Sequence, residues 1–170
     1  AGGGPPPPPS GQGSAVAREN SVPHFAEVMP NTVVALGVES KRDILRTQLA
    51  AILSVRPVGC CRILLPMVNE ASEIEAVRAL VREVAPGAGG DPDIAIGIMI
   101  ETPASAVNAA RLAAHADFFS IGTNDLTQYV LAIDRTHSFL SHGLDALHPA
   151  VLSLIHSVCA AARAAGRPVA

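Results

Sequence analysis

Hydrophobic residues along this chain follow two alternating rhythms, one of helical spacing and one of short continuous runs. Ile44, Leu45, Leu49, Ile52 and Leu53 recur at three- and four-residue intervals and fall on one helical face. The apolar run from Arg62 to Val68, which contains Pro66, reads as a buried parallel strand rather than a helix. Ser72 and Glu75 have capping-box spacing and open a helix whose inner face is Ile74, Val77, Val81 and Val84. The Pro- and Gly-rich segment 86–92 ends it, and the next apolar run, Ile94 to Ile100, leads to Glu101. Thr102 and Pro103 are the cap and first-turn residue of an Ala-rich helix reaching about His115. Phe118 to Ile121 is another strand, and Asp125 is placed to cap a short helix behind it. A loop runs from about Arg135 to His148. Pro149 then starts a long helix with Val151, Leu152, Ile155, Val158 and Cys159 inside, stopped by Gly166. Arg167 to Ala170 begins one more strand.

Helix and strand alternating in this way mean a parallel sheet with right-handed crossovers. The expected fold class is α/β, a partial TIM-type (β/α)8 barrel, because a closed barrel takes ~250 residues. Only about 130 of the 170 residues read as barrel-like, so roughly half of the strands are expected. Residues 1–32 are expected to be a disordered low-complexity tail and 33–170 the partial barrel. The opening glycines and the prolines that follow can bury almost nothing. Residues 20–40 carry some apolar side chains but no clean period.

Composition narrows the function. Net charge is −3 with no basic tract, which gives no reason to expect nucleic acid or a membrane surface as partner. No apolar run approaches the ~20 residues of a bilayer span, and no cationic start and apolar core of a signal peptide opens the chain. A cytoplasmic protein is the expectation. Cys60, Cys61 and Cys159 are too few and too badly spaced for a disulfide framework. The Cys-Cys pair reads as two small hydrophobes at a strand start rather than a redox or soft-metal site. His137, His142 and His148 share one loop-rich segment without zinc spacing, and are expected as surface or capping residues.

The candidate chemistry lies at strand ends. Glu101 and Asp125 each follow a buried strand, at the end where parallel barrels hold their active sites. Two such carboxylates are an oxygen site for a hard cation. Magnesium takes one or two carboxylates and completes its shell with substrate oxygens and water. Asn124 can donate an amide hydrogen bond to a bound anion, and Arg135 can take a phosphate or carboxylate in a fork. Asp134 is read as support for Arg135. Arg62, at the start of its strand, belongs to the opposite end, where a stabilising role is expected.

Ile98-Met-Ile-Glu-Thr-Pro-Ala104 followed by Phe118-Phe-Ser-Ile-Gly-Thr-Asn-Asp-Leu-Thr-Gln-Tyr129 resembles the phosphoenolpyruvate-binding barrel of the phosphoenolpyruvate-protein phosphotransferases, enzyme I of the bacterial sugar phosphotransferase system. The resemblance runs from about Arg42 to Arg167 and includes Arg62-Ile-Leu-Leu-Pro-Met-Val68 and Leu147-His-Pro-Ala-Val-Leu152. It implies Glu101 and Asp125 as Mg2+ ligands, Asn124 and Asp125 in contact with phosphoenolpyruvate, and Arg135 on its phosphate. It further implies phosphoryl transfer through an enzyme histidine to the phosphocarrier protein, and a homodimer in full-length members.

Pyruvate phosphate dikinases and phosphoenolpyruvate synthases share the Asn-Asp-Leu-Thr-Gln core, but the following Tyr129-Val-Leu-Ala-Ile-Asp-Arg135 favours the sugar-system enzyme. A magnesium-dependent lyase or aldolase of related barrels, and a non-catalytic binding or dimerisation module, are the other readings. Three family features have no counterpart here: the acceptor-histidine domain, two upstream phosphate arginines and the acid cysteine. Leu36-Gly37-Val38-Glu39 resembles a family motif, but Glu39 stands where that motif has arginine. The expectation is therefore an incomplete phosphotransferase, inactive alone.

Overall fold

The computed structural model describes residues 24–27, 39–135 and 140–170. Strand β1 (His24–Glu27) is followed by α1 (Glu39–Leu53), β2 (Cys61–Leu65), α2 (Ala71–Ala88) and β3 (Ile96–Ile100). Two short helices, α3 (Pro103–Val107) and α4 (Ala109–Leu112), lead to β4 (Phe119–Ile121). Then come α5 (Thr123–Leu131), a 3-10 turn (Leu140–Gly143) and α6 (Pro149–Ala164).

The strands form one parallel sheet in the order β1-β2-β3-β4, so every strand lies beside its neighbour in sequence. In register, Ile63 lies opposite Ile96, and Ile98 opposite Phe119. The end of the chain adds to the outer edge of β4: Phe119 and Ile121 donate to the carbonyls of Pro168 and Ala170 at 2.9 and 2.8 Å. The strand begun at Arg167 is therefore in the sheet. Because all strands run the same way, all their C-terminal tips share one end, which is where Glu101 and Asp125 arrive.

The strands are short apolar runs because both faces are covered. Ile63, Leu65, Ile96, Ile98, Ile100 and Phe119 are buried. Leu45, Leu49 and Leu53 of α1 join this core, and α1 packs on α2. The long α6 lies against α3, α4 and α5 together.

Four details depart from the sequence reading. His24–Glu27, assigned to the tail, is a strand paired with β2; the rest of residues 1–32 lies outside the described residues, as do residues 36–38 and His137. Helix α2 starts before Ser72: the Glu73 carboxylate accepts from the backbone N–H groups of Asn69 and Glu70, so the capping box is Glu70/Glu73. Pro86 lies inside α2, and the helix closes instead at Gly89, whose φ of 64° is the left-handed cap that glycine adopts without strain. The expected helix from Pro103 to His115 is broken at Asn108 into α3 and α4. Two side chains also face outward against expectation: Ile44 is 60% and Leu152 45% exposed, because the buried stripes are narrower than the apolar ones.

Arg62 lies over the Phe118 ring, 5.8 Å from its centroid, at the start of the strands. The same ring fills the space above Gly97, where a Cβ would meet three of its carbons at 2.3–2.4 Å. Gly97→Ala should therefore destabilise the protein by about 1–3 kcal/mol through overpacking. Urea denaturation measures it, and an unchanged midpoint would refute this packing.

Candidate functional site

Glu101 follows directly on β3 and is 4% exposed. A carboxylate so deeply buried keeps its charge only with donors or cations around it. Its Oε1 accepts the backbone N–H of Met67 at 2.7 Å. Met67 lies just beyond the tip of β2 with a φ of 56°, a region non-glycine residues rarely occupy. The tip of β2 is thus turned to aim an N–H at Glu101. Next to it, Thr102 caps α3 by accepting from the Ser105 N–H at 3.0 Å and donates its own hydroxyl proton to Asn69 Oδ1 at 2.6 Å.

From the other side comes the tip of β4. The Gly122 N–H donates to the Ile100 carbonyl at 3.0 Å. A Cβ on Gly122 would lie 2.7 Å from Glu101 Cβ, 2.9 Å from its Oε2 and 3.0 Å from Met99 Sδ. The Glu101 carboxylate therefore lies directly against the residue that begins α5. Gly122, not Asp125, is the N-cap of that helix. Asp125 sits in the first turn, where the helix dipole favours a negative charge.

Arg135 reaches Asp125 from beyond the far end of the same helix. Helix α5 closes at Ala132, in the left-handed region at φ 53°, and the N–H of Ile133 donates to the Gln128 carbonyl at 3.0 Å. The Gln128 side chain then accepts the Arg135 backbone N–H at 3.3 Å. The chain so turned back brings Arg135 Nη1 to 3.1 Å from Asp125 Oδ1. Beside this pair is a cavity of about 240 Å³ lined by Asn124, Thr127, Arg135, Leu144 and Ala146.

The structure thus brings Asn124, Asp125 and Arg135 together, and brings Glu101 to the same turn through Gly122. Asp134 is exposed, one residue before Arg135. Sequence reasoning missed Met67, Thr127 and Gln128. Thr127 carried a usable signal, since it lies one turn beyond Asn124 on the same helical face. Met67 carried none, because its part is played by a backbone N–H. Cys61 opens β2 beside Cys60, and burial, then the hydrogen bond and charge of Cys60, raise its thiol pKa, which disfavours the thiolate that redox or soft-metal chemistry uses. His148 caps α6 by accepting the Ala150 N–H at 3.2 Å, and His142 is exposed. Among the described residues no helix is long and apolar enough to cross a membrane.

Two crystal structures share the fold: a citrate lyase from Burkholderia xenovorans, with a TM-score of 0.57 at 22% identity over 73% of this chain and 39% of that one, and an aldolase/citrate lyase family protein from Burkholderia cenocepacia, with a TM-score of 0.51 at 15% identity over 86% and 78%. At such identities the likeness concerns the fold alone. Sequence relatives are much nearer. The chain is 50% identical over 126 residues to a multiphosphoryl transfer protein of Rhodobacter capsulatus. It is 43% identical over 132 residues to a phosphoenolpyruvate-protein phosphotransferase of Haemophilus influenzae. These matches take in 74% and 75% of this chain but only 15% and 23% of the relatives, so the chain spans under a quarter of their length. Residues 34–170 match the family described as PEP-utilising enzyme, PEP-binding domain, and the chain belongs to that family.

Proposed function

We propose that this chain forms the phosphoenolpyruvate site of a phosphotransferase of the bacterial sugar phosphotransferase system, built on part of a (β/α)8 barrel. One observation carries the reading. The Glu101 carboxylate and the head of α5, with Asn124 and Asp125, meet at neighbouring strand tips, and Arg135 is folded back onto Asp125. The names of the relatives agree with it. Phosphoryl transfer to the phosphocarrier protein, a cytoplasmic location and a homodimer through the barrel belong to the same proposal.

Glu101 and Asp125 suit Mg2+. Both are carboxylates and both stand at the same end of the sheet, the kind of oxygen ligand that Mg2+ prefers. When bound, the metal would neutralise substrate charge as the phosphoryl group departs. The residues of the chain do the rest. Arg135 presents five N–H donors, more than the contact with Asp125 uses, and takes phosphate oxygens in a fork. Asn124 donates its amide to the bound anion. Leu144 and Ala146 form the apolar side of the cavity. Gln128 and the turn at Ala132 hold Arg135 in place before substrate arrives, so little ordering is left to binding.

Calorimetric titration with phosphoenolpyruvate tests this. Binding heat is expected with Mg2+ and should be lost in excess chelator; heat that is the same in both would count against the metal assignment. Arg135→Gln should weaken binding by about ten- to a hundredfold, since a charge-assisted hydrogen bond contributes about 1.5–3 kcal/mol. Gly122→Ala should weaken Mg2+-dependent binding similarly by pushing the Glu101 carboxylate aside, and retention of wild-type affinity would show that this close approach is dispensable.

A further inference from the structure

Thr127 is 2% exposed, and among the described residues its Oγ1 is a buried side-chain oxygen without a hydrogen-bond partner. Buried hydroxyls are nearly always paired. A threonine inside a helix has a ready partner in the carbonyl four residues back, here that of Thr123, yet the hydroxyl makes no such bond. Valine would fill the same space without burying a polar atom. For folding alone, threonine is the poorer choice at this position.

Its location supplies the reason. Thr127 follows Asn124 by three residues on α5, so both side chains lie on one face, and both line the cavity that also holds Arg135. A cation and an amide side by side select an acceptor-rich, negatively charged guest. A hydroxyl can donate one further hydrogen bond to such a guest. We infer that Thr127 is a further substrate-binding residue, whose hydroxyl donates to an anionic oxygen of the phosphorylated substrate that Arg135 holds. The inference rests on the phosphoenolpyruvate reading and deepens it: the site reads the anion with a neutral donor as well as with charge. A neutral donor adds direction where the guanidinium adds attraction, so the oxygen it meets is fixed in orientation.

Thr127→Val and Thr127→Ser, titrated with phosphoenolpyruvate and Mg2+, test the assignment, with the urea midpoint of each variant measured alongside. Thr127→Val should bind about tenfold more weakly, the size expected for one lost hydrogen bond to a charged group. Thr127→Ser should retain most of the affinity. The midpoint of Thr127→Val should stay level or rise, because a buried polar atom without a partner is removed. Unchanged affinity in Thr127→Val overturns the assignment. So does a lowered midpoint, since the hydroxyl would then be holding the fold. If the wild-type chain itself binds no phosphoenolpyruvate, the functional reading falls first and this inference with it. Binding by wild type that equals binding by Thr127→Val removes the Thr127 assignment alone.

Discussion

Gly122 has no Cβ, and that absence lets the tip of β4 close on the Glu101 carboxylate at the tip of β3. A methyl group there would sit within 3.0 Å of the glutamate's Cβ and Oε2 and of Met99 Sδ. Everything proposed for the site depends on this contact. It sets where α5 begins, hence where Asn124, Asp125 and Thr127 stand, and it brings the carboxyl group that follows β3 to the head of α5.

The rest of the sheet serves that contact. Parallel strands in sequential order bring their C-terminal tips to one end, and the apolar runs of β2 and β3 are buried because helices cover them. A buried glutamate is costly to keep in such surroundings. The turn after β2 offsets part of that cost by placing Met67 in a sparsely populated backbone conformation so that its N–H meets Glu101. Strain in one backbone residue and burial of one acid are therefore parts of one arrangement. At the opposite end of the strands, Arg62 stacks on Phe118, whose ring packs over Gly97.

Side chains of three kinds come together around the head of α5: the carboxyl groups of Glu101 and Asp125, the guanidinium of Arg135, and the uncharged Asn124 and Thr127. Arg135 answers Asp125 directly at 3.1 Å, which keeps the guanidinium at the cavity. Gln128 makes that possible by accepting the Arg135 backbone N–H from within α5. The loop that supplies Leu144 and Ala146 gives the cavity its apolar side.

Much of this was legible in the order of residues. Apolar spacing determined α1, β2, α2, β3 and α6, because burial of one stripe or one run leaves a periodic trace. Thr102-Pro103 announced the start of α3, Glu101, Asn124 and Asp125 stood out as charged or polar residues after apolar strands, and Arg135 as the arginine that follows them. Strand β1 gave no such signal: His24–Glu27 has a polar residue at each end and only two apolar ones between, and pairing with β2 decides its state. Ile44 and Leu152 looked internal because periodicity shows an apolar face but not the width of the neighbour that covers it. Only the tertiary structure decided that Arg135 turns back to Asp125, that Met67 lends its backbone to Glu101, and that the Thr127 hydroxyl is buried without a partner. Contacts between residues far apart in sequence, and those made by backbone atoms that every residue shares, leave no mark in the pattern of side chains.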